Sequence, residues 1–115
     1  MALTINDGDF QDILGQETRP VLLTFQTPWC GPCQIQGPIL ENFEQDVGKR
    51  MVIGIIDVDE NPVLAEHFQI REIPAVVLLK ENREVARATG LQSREALDRF
   101  LELAEACDRS TETNR

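Results

Sequence analysis

The residues of this sequence best placed for chemistry are Cys30 and Cys33, separated by two residues in Trp29-Cys30-Gly31-Pro32-Cys33. Two thiols at this spacing, at the mouth of a helix that follows a buried strand, can close a small disulfide ring and reopen it. At a helix N-terminus, unpaired N–H groups and the positive end of the dipole stabilise a thiolate, so the Cys30 pKa is expected to fall below that of a free cysteine. Cys30 is therefore the expected nucleophile. Cys33, one turn further in and expected to be more buried, is the thiol that resolves a mixed disulfide with a target. Gly31 lets a target backbone approach closely, and Pro32 fixes the turn without adding a donor, which favours a rigid, reducing pair.

The same spacing also occurs in zinc knuckles, so alone it does not decide between redox and metal chemistry. Zinc needs about four ligands, and beyond the pair the chain offers only Cys107 and His67, distant in sequence and in different helices. No metal and no other cofactor is expected. His67 reads as a solvated helix residue that nothing pairs with Cys30, and Cys107 as a small, partly buried filler near the end of the last helix.

The elements that must hold the pair follow from periodicity and turn chemistry. Phe10, Ile13 and Leu14 recur at i, i+3 and i+4 behind the capping residues Asn6 and Asp7, which predicts a first short helix. Pro20 to Gln26 is a short apolar run of a strand buried on both faces. Ile35, Ile39, Leu40, Phe43 and Val47 then recur mostly at helical spacing, with Pro38 as the point of a kink and Gly48 as the stop. Met51 to Val58 reads as a second buried strand, parallel to the first across the intervening helix. Asn61-Pro62 opens a helix that places Leu64 and Phe68 on one face. Ala75 to Lys80 and Arg83 to Thr89 flank Glu81-Asn82 as a hairpin, with Gly90 ending its second arm. Ser93 caps a last helix with the stripe Leu97, Phe100, Leu101 and Ala104.

A chain of 115 residues with 42% hydrophobic and 27% charged side chains fits one compact domain, read as residues 1–107 with a polar, disordered tail over 108–115. The net charge of −9 argues against nucleic acid and anionic membrane surfaces as partners. Asp7 and Asp9 interrupt the apolar stretch a signal peptide would need, and no apolar run approaches the ~20 residues of a membrane helix. With an odd number of cysteines, a reducing compartment is expected: the cytoplasm, or an organellar stroma or matrix had a transit peptide been removed.

Trp29-Cys30-Gly31-Pro32-Cys33 is similar, letter for letter, to the active-site motif of the thioredoxin family. Pro38 falls where that family kinks its active-site helix. Asp59-Glu60-Asn61-Pro62 resembles its loop before the third helix, Arg71-Glu72-Ile73-Pro74 its segment ending in a cis-proline, and Gly90 its glycine near the active-site rim. The resemblance runs from about Leu3 to Ala106 and implies an α/β class, the thioredoxin fold, with a mixed central sheet flanked by helices on both faces and Cys30 exposed at one end. It also implies that Pro74 is cis beside the sulfurs and that the Ile73 main chain pairs with an extended target segment. Trp29, Ile73, Gly90 and Leu91 then form an apolar rim.

Four positions depart from the family pattern. Thr24 stands where a buried Asp is usual and Ile55 where a Lys often lies near it, Gln26 replaces a common Trp, and Pro28 precedes Trp29. Thr does not titrate in a useful range, so it cannot take the proton of the resolving thiol. The resemblance implies a monomeric electron carrier that reduces target-protein disulfides and is recharged by a separate flavin or iron–sulfur thioredoxin reductase. The rival is a redox-regulated binding or chaperone-like module that uses the apolar rim, an idea kept open by the missing acid. Gly31-Pro32 between the cysteines disfavours an oxidase or isomerase.

Overall fold

The computed structural model describes residues 2–113, and the side chains of residues 2–106. Among these, strands β1 (Leu3–Thr4), β2 (Val21–Gln26), β3 (Val52–Asp57), β4 (Ala75–Lys80) and β5 (Arg83–Thr89) form a mixed sheet in the order β1-β3-β2-β4-β5. Helices α1 (Phe10–Gln16) and α3 (Pro62–His67) cover one face, and α2 (Gly31–Val47) and α4 (Arg94–Thr113) the other. Strands β2 and β4 are buried on both faces, so their side chains alternate between two cores. Leu23, Phe25, Ala75 and Val77 join Phe10, Leu14, Leu64 and Phe68 in one; Leu22, Val76 and Leu78 join Leu40, Phe43, Leu97 and Phe100 in the other. Each large apolar side chain so buried is worth about 1.5–3 kcal/mol.

Register brings the candidate residues together. Parallel pairing of β2 with β3 sets Gln26 opposite Asp57, and antiparallel pairing of β2 with β4 sets Phe25 opposite Ala75. Ala75 in turn pairs with Thr89 of β5. The segment after β2 with Cys30, the loop after β3 with Asp59, the segment before β4 with Pro74, and the loop after β5 with Gly90 therefore leave the sheet at one end. At the opposite end Glu81 and Asn82, both at positive φ (54° and 65°), close the predicted hairpin. Gly48 stops α2 at a positive φ of 56°.

The N-terminal caps are arranged differently from the reading of the sequence. Asn6 and Asp7 do not cap α1: the cap position is Asp9, which accepts the Asn6 N–H at 2.8 Å and makes no side-chain bond into the helix. The Asp7 carboxylate reaches instead to α3 and accepts the N–H groups of Leu64 (2.9 Å) and Val63 (3.3 Å). Asn61, expected to cap α3 itself, makes no cap bond there; it accepts the Asp7 N–H at 2.8 Å and donates to the Asp57 carbonyl oxygen at 3.0 Å. The two residues thus exchange partners across the chain. Strand β1, too short to show a period in the sequence, is held on β3 next to Ile5, whose N–H donates to the Ile55 carbonyl oxygen at 2.9 Å. Gly54 leaves the room Ile5 fills, because a Cβ there would stand 2.5 Å from Ile5 Cδ1. Helix α4 continues through part of the stretch read as a tail, while Cys107 and the other side chains of 107–115 lie outside the described residues.

Asp7→Ala is expected to cost about 1–2 kcal/mol, since it leaves two helix-start donors without their acceptor, and to lower the melting temperature by roughly 4–10 °C. Asp7→Asn, which keeps an acceptor oxygen, is expected to lose less than half of that. Thermal unfolding followed by circular dichroism measures both, and an unchanged melting temperature in Asp7→Ala would show that the cap carries no stability.

Candidate active site

Cys30 is the N-cap of α2, and it is joined to Cys33 in a disulfide with the Cα atoms 5.2 Å apart. The buried strand β2 delivers the chain to this point, and Pro32 in the first helical turn removes one donor that has no intrahelical partner. The Cys33 N–H donates to Cys30 Sγ at 3.1 Å. That is the contact through which a helix N-terminus stabilises sulfur anion. The stretch 20–48 holds no Lys, Arg or His, so within it main-chain N–H groups and the helix dipole must supply that stabilisation.

The two sulfurs are not distinguished by burial. Cys30 is 5% exposed and Cys33 4%, so the expectation of an exposed Cys30 over a more buried Cys33 does not hold for the closed disulfide. What distinguishes them is position: Cys30 Sγ accepts the helix N–H and lies 4.0 Å from the Ile73 carbonyl oxygen. A disulfide sulfur carries no proton, so this second approach is proximity, and it becomes a donor–acceptor pair only when Cys30 is a thiol.

The surrounding rim is braced by hydrogen bonds. The Ile73–Pro74 peptide is cis, and the Pro74 carbonyl oxygen accepts the Gly90 N–H at 2.7 Å, with Gly90 at a φ of 87°. Trp29 is 69% exposed, yet its indole Nε1 donates to Asp59 Oδ2 at 2.7 Å, which ties the residue before Cys30 to the loop after β3. Gln34 Nε2 donates to the Pro28 carbonyl oxygen at 3.1 Å and closes the loop around the cysteines. Leu91 is exposed, while Ile73 and Gly90 are half-buried. Trp29, Gly31, Pro32, Ile73, Pro74, Gly90 and Leu91 thus all stand on the segments that leave the sheet at the sulfur end.

Two features were not legible in the sequence. Asp59 as the partner of Trp29 has no local signal, since it lies 30 positions away. Ile35, read as part of the apolar face of α2, is 57% exposed; the buried stripe runs Cys33, Gln36, Leu40, Phe43, Val47. Spacing counted back from Val47 and Phe43 in steps of three and four would have found Gln36 in place of Ile35. His67 is exposed, packs its ring against Phe68, and lines a shallow depression with Asn82 of the far hairpin turn, away from the sulfurs.

Thr24 is buried, on the face of β2 that turns toward α2, and its hydroxyl donates to the Gly54 carbonyl oxygen at 3.2 Å. Ile55 pairs beside it in register. The sheet floor at this position is therefore uncharged. Thr24→Asp is expected to raise the Cys30 pKa of the reduced protein through like-charge repulsion. The disulfide potential should then move negative, and resolution of mixed disulfides should quicken because a carboxylate can take the Cys33 proton. Thiolate absorbance against pH and equilibration with glutathione measure the first two; an unmoved pKa in a folded variant would show that position 24 is not coupled to the sulfurs.

Comparison with known proteins agrees with this geometry. The sequence model of the family described as Thioredoxin matches residues 1–103. The chain is 36% identical over 99 residues to the thioredoxin of Alicyclobacillus acidocaldarius subsp. acidocaldarius, covering 86% of this chain and 93% of that protein. It is 36% identical over 101 residues to the bifunctional thioredoxin reductase/thioredoxin of Mycobacterium leprae, covering 88% of this chain and 22% of that one. Among solved structures, chloroplastic thioredoxin z superposes with a TM-score of 0.81 over 91% of this chain and 95% of its own, at 23% identity, a likeness of fold.

Proposed function

The chain belongs to the thioredoxin family and its Cys30–Cys33 pair makes it a thiol–disulfide oxidoreductase; we propose that it works as a reductase of disulfides in target proteins. The observation that carries this reading is the position of Cys30 Sγ, at the N-cap of α2 with the Cys33 N–H on it and the Ile73 carbonyl beside it. In the reduced protein the Cys30 thiolate attacks one sulfur of a target disulfide. A Cys30–target disulfide forms, and the other target sulfur leaves as a thiolate. Cys33, once deprotonated, attacks Cys30 Sγ; the Cys30–Cys33 bond forms, the second target sulfur leaves, and two electrons have passed to the target. With Thr24 uncharged, the Cys33 proton goes to water or to the departing thiolate.

In this reading an extended target segment lies along the Ile73 main chain beside Pro74, between Trp29 on one side and Gly90 and Leu91 on the other. Gly31 and Pro32 form the floor the target crosses. The electrons come from a separate thioredoxin reductase of flavin or iron–sulfur type, a pairing supported by the relative that joins reductase and thioredoxin in one chain. The carrier acts as a monomer, without a bound cofactor, in the cytoplasm or in an organellar matrix or stroma. No described helix is long and apolar enough to cross a membrane.

Dithiol-driven reduction of a generic protein disulfide tests the proposal. Wild-type protein is expected to accelerate it well above the dithiol alone, and Cys30→Ser to return it to that background. Cys33→Ser is expected to accumulate covalent mixed disulfides with targets, visible on non-reducing gels, and Cys30→Ser none. Equal trapping by the two variants would overturn the assignment of Cys30 as nucleophile, and a wild-type rate at the background would overturn the function.

A further inference from the structure

Gln36 is 1% exposed, in the turn of α2 that follows Cys33, and it is the polar member of an otherwise apolar and sulfur-bearing stripe. A buried primary amide persists where its donors and acceptor find partners. Gln36 directs both ends of its amide to one residue 56 positions away: Nε2 donates to the Gln92 carbonyl oxygen at 2.9 Å, and the Gln92 N–H donates to Oε1 at 2.7 Å. This is the two-point pairing one strand offers another, and unlike a single bond it fixes orientation as well as distance.

The partner lies in the rim loop. The Gln92 side chain turns back, donating from Nε2 to the carbonyl oxygens of Gly90 (3.1 Å) and Thr89 (3.3 Å), and the Gly90 N–H donates to the Pro74 carbonyl oxygen. A continuous hydrogen-bonded path therefore runs from the helix that carries Cys33, through Gln36 and Gln92, to Gly90 and the cis-proline. Downstream the loop is anchored separately: Arg94 bonds to Asn42 and, at 2.6 Å, to Asp46, both further along α2. Between these anchors Leu91 stands 47% exposed with Gln92 beneath it.

We propose that Gln36 is a positioning residue that sets the spacing of the Gly90–Leu91 wall from the Cys30–Cys33 pair and thereby favours extended protein segments over small disulfides. This rests on the reading that the wall contacts the target. An amide serving the core alone would bond within α2 or to the sheet beneath; here both bonds leave the helix for the rim. Gln36 touches neither sulfur in this scheme and acts through Gln92.

Gln36→Met keeps the volume and removes both bonds, while Gln36→Glu keeps an acceptor for the Gln92 N–H. Reduction of a protein disulfide and of oxidised glutathione would be compared, together with the disulfide potential and hydrogen exchange of the Gln92 amide. In Gln36→Met the Gln92 amide is expected to exchange about tenfold faster, and the KM for the protein disulfide to rise about fivefold at nearly constant kcat, the signature of lost uniform binding. In Gln36→Met the glutathione rate and the equilibrium constant of the disulfide with glutathione are expected to stay within about twofold of wild type. For Gln36→Glu, whose added charge moves the potential by itself, the potential is not compared, and the protein KM and the Gln92 amide exchange are both expected to fall between wild type and Gln36→Met. Equal loss on both substrates, a shifted potential, or an unchanged protein KM would overturn the proposal. Should Gln36→Met not fold, Gln36→Glu decides it: it loses the bond to the Gln92 carbonyl oxygen while keeping an acceptor for the Gln92 N–H, and a rise in the protein KM larger than any change on glutathione, with faster exchange of the Gln92 amide, is required. A wild-type protein inactive on protein disulfides overturns the functional reading and this proposal together; an active wild type with unaltered selectivity in the variants overturns this proposal alone.

Discussion

The antiparallel pairing of β2 with β4 is the constraint on which the rest of the structure depends. Both strands are buried on both faces, so a slip of one residue would move Leu22, Val76 and Leu78 from one core into the other and set every side chain against the wrong helices. The register is therefore held by the whole interior. Because it is held, the end of β2 and the start of β4 coincide, and a helix N-cap on one segment meets a cis-proline on the other. The geometry at the disulfide is a by-product of core packing: nothing at the surface needs to bring Cys30 to Ile73, since Phe25 opposite Ala75 has already done so.

Electrostatics at this junction come from the backbone. The segment that carries the cysteines has no cationic side chain, and the chain as a whole carries a net charge of −9, a background that disfavours a further anion. Against it stand the Cys33 N–H on Cys30 Sγ and the start of a helix of 17 residues. Thr24 adds no charge to this background: its hydroxyl proton is committed to the Gly54 carbonyl, so a satisfied neutral group fills that buried position of β2. A threonine there offers no carboxylate to take up a proton.

Much of this arrangement is written locally in the sequence. Short apolar runs bounded by Pro20 and Pro28 identify β2, the Glu81-Asn82 pair fixes the hairpin, and Ser93 caps α4 as read, its Oγ accepting the Ala96 N–H at 3.1 Å. Illegible parts depend on contacts between distant segments. Asp7 and Asn61 each have the chemistry of a helix cap, and each is next to a helix, but the fold sets the two segments side by side and the acceptors cross over. The phase of α2 is harder still. Ile35 outranks Gln36 on hydrophobicity, and although the spacing from Val47 puts Gln36 on the buried stripe, the partner that satisfies its amide lies 56 positions away, in a loop with no period of its own. Strand β1 has two residues, too few for alternation to register.

The exposed apolar side chains complete the physical picture. Trp29, Ile35, Val63 and Leu91 stand on the segment before α2, the first turns of α2 and α3, and the loop after β5, which all emerge at the sulfur end. They are four of the six large apolar side chains left exposed among the described residues, the others being Leu3 in β1 and Leu103 in α4, and each leaves apolar area in water at about 25 cal/mol per Å². What the apolar side chains offer depends on where they, and the main-chain donors and acceptors among them, stand relative to the sulfurs. Those positions are set by hydrogen bonds between segments: Trp29 to Asp59, Gly90 to Pro74, and Gln92 to Gln36. Two of the three start from main-chain N–H groups of the rim loop, Gly90 to the Pro74 carbonyl oxygen and Gln92 to the Gln36 side chain, so the backbone of that loop is tied on one side to the segment that leads into β4 and on the other to a side chain of α2.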